Sequence, residues 1–276
     1  MEIKLAKNYG FCFGVKRAIE IAEESTNATT MGPLIHNNEE INRLKKNFDV
    51  TTAHTMDEIG DSQRVIIRTH GIVKEDLAAL KASNKEIIDA TCPFVTKPQE
   101  IVEKMSKDGY KIIIFGDEHH PEVKGVKSYA SNEPVVILEV DELKNVPLGP
   151  KIAIVSQTTR KYTEFMKIVN YLVERVSEVR VFNTICNATF ENQDAARELS
   201  IGSDIMIVIG GKNSSNTKQL LNISEDNCSE CYLVENEKEL EQKWFEGKKN
   251  CGVTAGASTP EWIIEKIISK IREFTI

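Results

Sequence analysis

Ile3-Lys4-Leu5-Ala6-Lys7-Asn8-Tyr9-Gly10-Phe11-Cys12-Phe13-Gly14-Val15-Lys16-Arg17-Ala18-Ile19 carries the pattern from which the rest of the chain is read. Ile3 to Ala6 alternates as a strand does. Val15, Ala18, Ile19 and Ala22 fall at i, i+3, i+4 and i+7, one face of a helix. A cysteine lies between the two. The same order returns twice. Cys92 follows Ile87-Ile88 and precedes a helical pattern of Ile101, Val102 and Met105, with Pro98 near its start. Cys186 follows Val179-Arg180-Val181-Phe182 and precedes Ala195, Ala196 and Leu199.

Downstream of each cysteine an apolar run ends in polar residues. Met31-Gly32-Pro33-Leu34-Ile35 leads to His36, Ile112-Ile113-Ile114-Phe115 to His119-His120-Pro121-Glu122, and Ile205-Met206-Ile207-Val208-Ile209 to Asn213-Ser214-Ser215-Asn216. A further strand closes each unit. Val65-Ile66-Ile67-Arg68 runs into Thr69-His70, Ile152-Ala153-Ile154-Val155 into Gln157-Thr158-Thr159, and Asn250-Cys251-Gly252-Val253 into Thr254-Ala255-Gly256-Ala257-Ser258. Continuous apolar strands alternating with helices predict mostly parallel sheets covered on both faces. Ligands of such sheets sit beyond the carboxyl ends of the strands, where all these polar clusters fall. The reading is an α/β protein of three similar α/β domains, residues 13–91, 92–182 and 183–276, with the N-terminal strand 1–12 packing beside the third.

A chain of 276 residues suits three such units, and 41% hydrophobic with 28% charged residues is the mix of a globular protein. No apolar run is long enough for a membrane span, and no signal-like segment opens the sequence, so a cytoplasmic location without membrane contact is expected. A net charge of −7 argues against nucleic acid as a partner but permits a small anion held by local donors. In that setting the six cysteines point to metal, catalysis or burial rather than disulfides.

One cysteine at a strand end is commonly a small buried hydrophobe. Three at equivalent places predict a shared metal centre of Cys12, Cys92 and Cys186. Three thiolates on a [4Fe–4S] cluster would leave one iron open to a substrate oxygen. Cys228-Ser229-Glu230-Cys231 lacks a partner pair and is read as peripheral, and Cys251 as core. Asn213 to Asn216 and Thr254 to Ser258 each precede a helix, so they suit either plain N-capping or an anion cradle. His36, His70, His119 and His120 at strand ends would suit a diphosphate, with imidazolium adding positive charge. Glu122 is either a solvated loop acid or, beside an anion and a reduced cluster, a proton donor of raised pKa.

The segments Gly10-Phe11-Cys12-Phe13-Gly14-Val15, Asp89-Ala90-Thr91-Cys92-Pro93, His120-Pro121-Glu122-Val123, Gln157-Thr158-Thr159, Lys212-Asn213-Ser214-Ser215-Asn216 and Thr254-Ala255-Gly256-Ala257-Ser258 resemble the 4-hydroxy-3-methylbut-2-enyl diphosphate reductases of the methylerythritol phosphate route to isoprenoids. They occur in that family's order from Gly10 to Ser258. The resemblance implies a pseudo-threefold trefoil of α/β domains around a central [4Fe–4S] cluster on Cys12, Cys92 and Cys186. It implies substrate contacts from His36, His70, His120, Thr158, Ser214, Ser215, Asn216 and Ser258, and catalytic roles for Glu122, Thr158 and His120. It further implies conversion of an allylic diphosphate to isopentenyl and dimethylallyl diphosphate, with ferredoxin or flavodoxin supplying two electrons. After Cys186 the segment Asn187-Ala188-Thr189-Phe190-Glu191-Asn192-Gln193 departs from the family at Phe190 and Glu191. The rival readings are a redox-neutral [4Fe–4S] dehydratase or quinolinate-synthase-like enzyme, favoured by turnover without reductant, and a non-catalytic metal or redox-sensing module, favoured if no diphosphate stabilises the protein.

Overall fold

Short β-branched runs bounded by glycine and polar turns become strands, and the amphipathic stretches between them become helices. The computed structural model describes residues 1–274. In chain order the elements are β1 (Glu2–Leu5), α1 (Phe13–Glu24), β2 (Thr29–Met31), α2 (Asn38–Phe48), β3 (Thr51–Ala53), β4 (Arg64–Ile67), α3 (Lys74–Ala82) and β5 (Glu86–Asp89). Next come α4 (Pro93–Lys107), β6 (Lys111–Phe115), α5 (Pro121–Ser128), β7 (Val135–Ile137), β8 (Lys151–Ser156), α6 (Tyr162–Val173) and β9 (Glu178–Val181). The chain ends with α7 (Asn187–Ile201), β10 (Ile205–Ile209), α8 (Ser215–Glu225), β11 (Cys231–Val234), β12 (Asn250–Ala255) and α9 (Glu261–Phe274).

Three four-stranded sheets form, ordered β3-β2-β4-β5, β7-β6-β8-β9 and β11-β10-β12-β1. Every pairing is parallel. The chain divides into two compact units. The first holds Met1–Lys16, Ile35–Lys46 and the segment from Asn187 onwards; the second holds Arg17–Leu34 and Asn47–Cys186. The first unit thus contains one sheet, and the second contains two.

In the first unit, β10 is buried along its whole length because both faces are covered. Successive side chains point to opposite faces. Ile205, Ile207 and Ile209 join Val253, Ile263, Ile264 and Ile267 in the core under α9. Val208 instead meets Ala196 and Leu220, from α7 and α8. Each fully buried isoleucine here contributes about 1.5–3 kcal/mol, so a strand of five apolar residues anchors the unit. In the second unit, Ile112, Ile114, Ala153 and Val155 pack with Val102, Met105 and Val123, which seats α4 and α5 on their sheet.

Two sequence expectations need correction. The run Met31 to Ile35 is not all strand: β2 stops at Met31, because Gly32 takes φ +76° and turns the chain. Each sheet also has an edge strand, β3, β7 or β11, that the apolar-run reading did not contain.

Candidate active site

The helices sort into two kinds by their first turns. Those of α2, α3, α5, α6 and α9 carry acidic residues, the usual complement to the positive end of a helix dipole. Those of α1, α4, α7 and α8 carry none. The first three follow Cys12, Cys92 and Cys186, and the fourth follows the Asn213-Ser214 loop. The sequence therefore leaves uncompensated N-termini where an external anion would be drawn. All three cysteines are half-buried, and none is in a disulfide. A half-buried thiol at each of those three helix starts is a soft donor of the kind an iron–sulfur group takes.

In the second unit, a chain of contacts joins the predicted residues. Cys92 N–H donates to the Thr69 carbonyl at 3.0 Å. The Thr69 hydroxyl donates to the Leu34 carbonyl at 2.8 Å, so towards His70 Nδ1, 3.3 Å away, it can only accept. His70 therefore carries its hydrogen on Nδ1. The His70 ring meets His120 edge-on, with centroids 5.4 Å apart. His120 Nδ1 accepts the Glu122 N–H at 3.2 Å, capping α5. That bond requires an unprotonated Nδ1, so Nε2 bears the hydrogen and the ring is a neutral donor. The expectation of imidazolium charge is corrected for His120. His119 is exposed.

Glu122 is 1% exposed, not a solvated loop acid. Its carboxylate accepts Thr158 N–H at 2.7 Å and the Thr158 hydroxyl at 2.8 Å. Burial pushes its pKa up from 4.5 to about 7, against the opposing pull of the Thr158 bonds and the Arg160 charge. The Thr158 carbonyl accepts Cys186 N–H at 3.0 Å. A buried carboxyl poised near neutrality is thus two bonds from the Cys186 backbone. Gln157 holds the facing loop: its Oε1 accepts Asp117 N–H at 3.0 Å.

In the first unit, Cys12 N–H donates to the Ala257 carbonyl at 3.2 Å, and Ser258 Oγ donates to the His36 carbonyl at 3.2 Å. Gly211 passes so close to His36 that a Cβ there would lie 2.2 Å from the His36 oxygen. Ser214 does cap α8, accepting Thr217 N–H at 3.3 Å. Asn216 is 4% exposed, and among the described residues its Oδ1 and Nδ2 have no hydrogen-bond partner. Such a group costs about 1–3 kcal/mol unless a ligand completes its bonding. The His36 segment is held by α2: buried Glu40 accepts Trp262 Nε1 at 3.0 Å from α9 and pairs with Arg43 at 2.7 Å.

In the second unit, then, hydrogen bonds and one ring contact link the sequence-predicted residues, while in the first Ser258 meets His36, and Ser214, Ser215 and Asn216 stand together at the start of α8. Sequence reasoning passed over Thr69, which fixes the His70 tautomer, and over Arg17, which donates to the Asp89 and Thr91 carbonyls beside Cys92 at 3.2 and 3.3 Å. The Thr-His dipeptide was a signal for the first; nothing local marked the second. Cys228 is buried at 4% exposure. Cys251 is core at 1%, and burial pushes the thiols of Cys231 and Cys251 up to about 12. Neither of these two thiols ionises readily.

Residues 3–272 match the model of the LytB protein family. The chain is 67% identical, over the full length of both proteins, to a 4-hydroxy-3-methylbut-2-enyl diphosphate reductase of a Nitratiruptor species. It is 61% identical, again over full length, to one from Campylobacter jejuni. A solved (E)-4-hydroxy-3-methyl-but-2-enyl diphosphate reductase, the terminal enzyme of the non-mevalonate pathway, superposes with TM-score 0.71 at 40% identity, covering 99% of this chain and 100% of that one. The E-1-hydroxy-2-methyl-but-2-enyl-4-diphosphate reductase of Plasmodium falciparum gives 0.90 at 28% identity, covering 97% and 86%. With a family match spanning nearly every residue and relatives this similar along the whole chain, the protein belongs to the LytB family.

Proposed function

We infer that this chain is an oxidoreductase that removes the hydroxyl group of 4-hydroxy-3-methylbut-2-enyl diphosphate. The net change is R–OH + 2 electrons + 2 protons → R–H + water, with isopentenyl and dimethylallyl diphosphate as the two positional products. Members of the family are iron–sulfur proteins. Cys12, Cys92 and Cys186 hold the group, as a [4Fe–4S] cluster; their support is the half-buried thiol that precedes an acid-free helix in each case. When bound, the cluster supplies electrons and a Lewis-acidic iron. The one strand order common to the three sheets supports taking residues 13–91, 92–182 and 183–276 as three similar domains.

The chain's own residues do the rest. His120 offers a neutral Nε2–H to a phosphate oxygen, and His36 and His70 are further substrate ligands. The acid-free N-terminus of α8, with Ser214, Ser215 and the open amide of Asn216, takes the diphosphate, joined by Ser258. Glu122 holds a proton near neutral pH and passes it through the Thr158 hydroxyl to the departing hydroxide. The observation that carries this reading is the Glu122–Thr158 pair, a fully buried acid hydrogen-bonded to the residue whose carbonyl holds Cys186. A ferredoxin or flavodoxin delivers the electrons. The cysteine ligands need a reducing compartment, so the enzyme works in the cytoplasm.

The test is anaerobic reconstitution with iron and sulfide, followed by an assay with reduced viologen and the allylic diphosphate. Reductant-dependent formation of both alkenyl diphosphates is expected. A reconstituted protein that leaves the substrate untouched sinks the reading, and turnover without reductant favours a dehydratase.

A further inference from the structure

α7 and α8 cover the same face of β10, where Ala196 of one and Leu220 of the other pack on Val208. α7 ends just before β10, and its Leu199 lies over Gly252 of β12. α8 leaves from the opposite end of β10, and its Thr217 seats against Gly210 and Gly256. The two helices therefore lie side by side, with both N-termini at the carboxyl edge of the sheet.

Each helix turns a buried stripe to this face. In α7 the stripe holds Thr189, Gln193, Ala196 and Ser200, and in α8 it holds Asn216, Leu220 and Ile223. Gln193 and Asn216 thus stand one turn nearer the N-termini than Ala196 and Leu220, and helical side chains lean in that same direction. Gln193 is 5% exposed, while its neighbours Glu191 and Asp194 face solvent. Among the described residues Gln193 Nε2 has no hydrogen-bond partner, and neither has either amide atom of Asn216. Buried amides in this condition are rare, because each forgoes its bonds to water. One anion oxygen accounts for all three atoms: Asn216 Nδ2 donates to that oxygen, and Asn216 Oδ1 accepts from Gln193 Nε2.

We propose that Gln193 is a positioning residue for the diphosphate, fixing the Asn216 amide so that its donor and not its acceptor faces the ligand. This rests on the reading that a diphosphate binds at the start of α8. An amide whose oxygen is unclaimed can turn either end to an anion, and the oxygen end repels it. Both side chains are uncharged, so the pair is buried without the desolvation cost of a cation.

The experiment uses reconstituted holoenzyme of wild type, Gln193→Met, Gln193→Glu, Asn216→Ala and the Gln193→Met, Asn216→Ala double variant. Read for each are iron per chain, viologen-supported kcat and KM, the Kd of inorganic diphosphate by calorimetry, and the melting temperature. Gln193→Met should raise Kd and KM about tenfold, the scale of one lost hydrogen bond to a charged group, with kcat and iron content within about twofold of wild type. Its melting temperature should hold or rise, since an apolar chain of the same length replaces an unpaired buried donor. Gln193→Glu, whose carboxylate only accepts, should turn the Asn216 amide over and raise the Kd further. In the Asn216→Ala background Gln193→Met should change the Kd no more, because its effect passes through Asn216. An unchanged Kd in both Gln193 variants, or an undiminished effect in the Asn216→Ala background, would overturn the proposal. So would a lower melting temperature with loss of iron, which would make Gln193 a structural support of the segment after Cys186. A wild type that shows the expected Kd pattern but is inert with viologen would instead refute the reductase reading and leave the Gln193–Asn216 pair standing.

Discussion

Glu122→Gln separates an acid that works from one that is merely buried. The amide keeps the shape of the side chain, and its oxygen can still accept the Thr158 N–H that the carboxylate accepts at 2.7 Å. What it loses is a transferable proton. With burial holding the Glu122 pKa at about 7, the wild-type carboxyl is about 90% protonated one pH unit below that value and about 10% one unit above it. Viologen-supported turnover should therefore fall about tenfold per unit on the alkaline side of pH 7. The variant should run at least about 100-fold slower below pH 7 and lose that alkaline limb.

A second readout comes from linkage. The folded-state pKa lies above its ordinary value of 4.5, so the folded protein binds the proton more tightly than the unfolded chain. The stability this contributes is complete below pH 4.5 and is lost as pH rises through about 7, a change of about 3 kcal/mol. Glutamine has no such dependence. Infrared difference spectra should show a protonated carboxyl that titrates near pH 7 in wild type and is missing from Glu122→Gln. Near-normal turnover of the variant, or a wild-type profile flat across neutrality, would refute the assignment of Glu122 as the proton donor.

Cys12→Ser, Cys92→Ser and Cys186→Ser should each lose most of the bound iron after reconstitution, while Cys231→Ser should retain it, read by iron and sulfide analysis. Thr158→Val removes the hydroxyl bond to the Glu122 carboxylate at 2.8 Å, a bond that favours the charged form. Its alkaline limb should move to higher pH and its turnover fall, with Thr158→Ser restoring both. Gly211→Ala places a methyl group 2.2 Å from the His36 carbonyl oxygen, which must shift. KM for the diphosphate should rise about tenfold with little change in kcat, a loss of binding worth about 1.4 kcal/mol.

The parallel sheets were legible in the sequence because uninterrupted runs such as Ile205-Met206-Ile207-Val208-Ile209 make sense only when both faces of a strand are covered. The cysteines, the Asn213–Asn216 loop and His120 were legible too, since each falls at a strand end or a helix start, a position that local periodicity marks. The edge strands β3 and β7 were not, having three residues each and no pattern apart from their pairing with β2 and β6. Nor could the chain order reveal which loops meet. Thr158 reaches Glu122 across 36 residues, and Ser258 reaches His36 across 222. Glu122 illustrates the division. Its identity and place at a helix start are written in the residues around it, but its proton affinity is set by desolvation and by the backbone N–H and hydroxyl of Thr158 in the turn after β8, and both exist only once the sheet has formed.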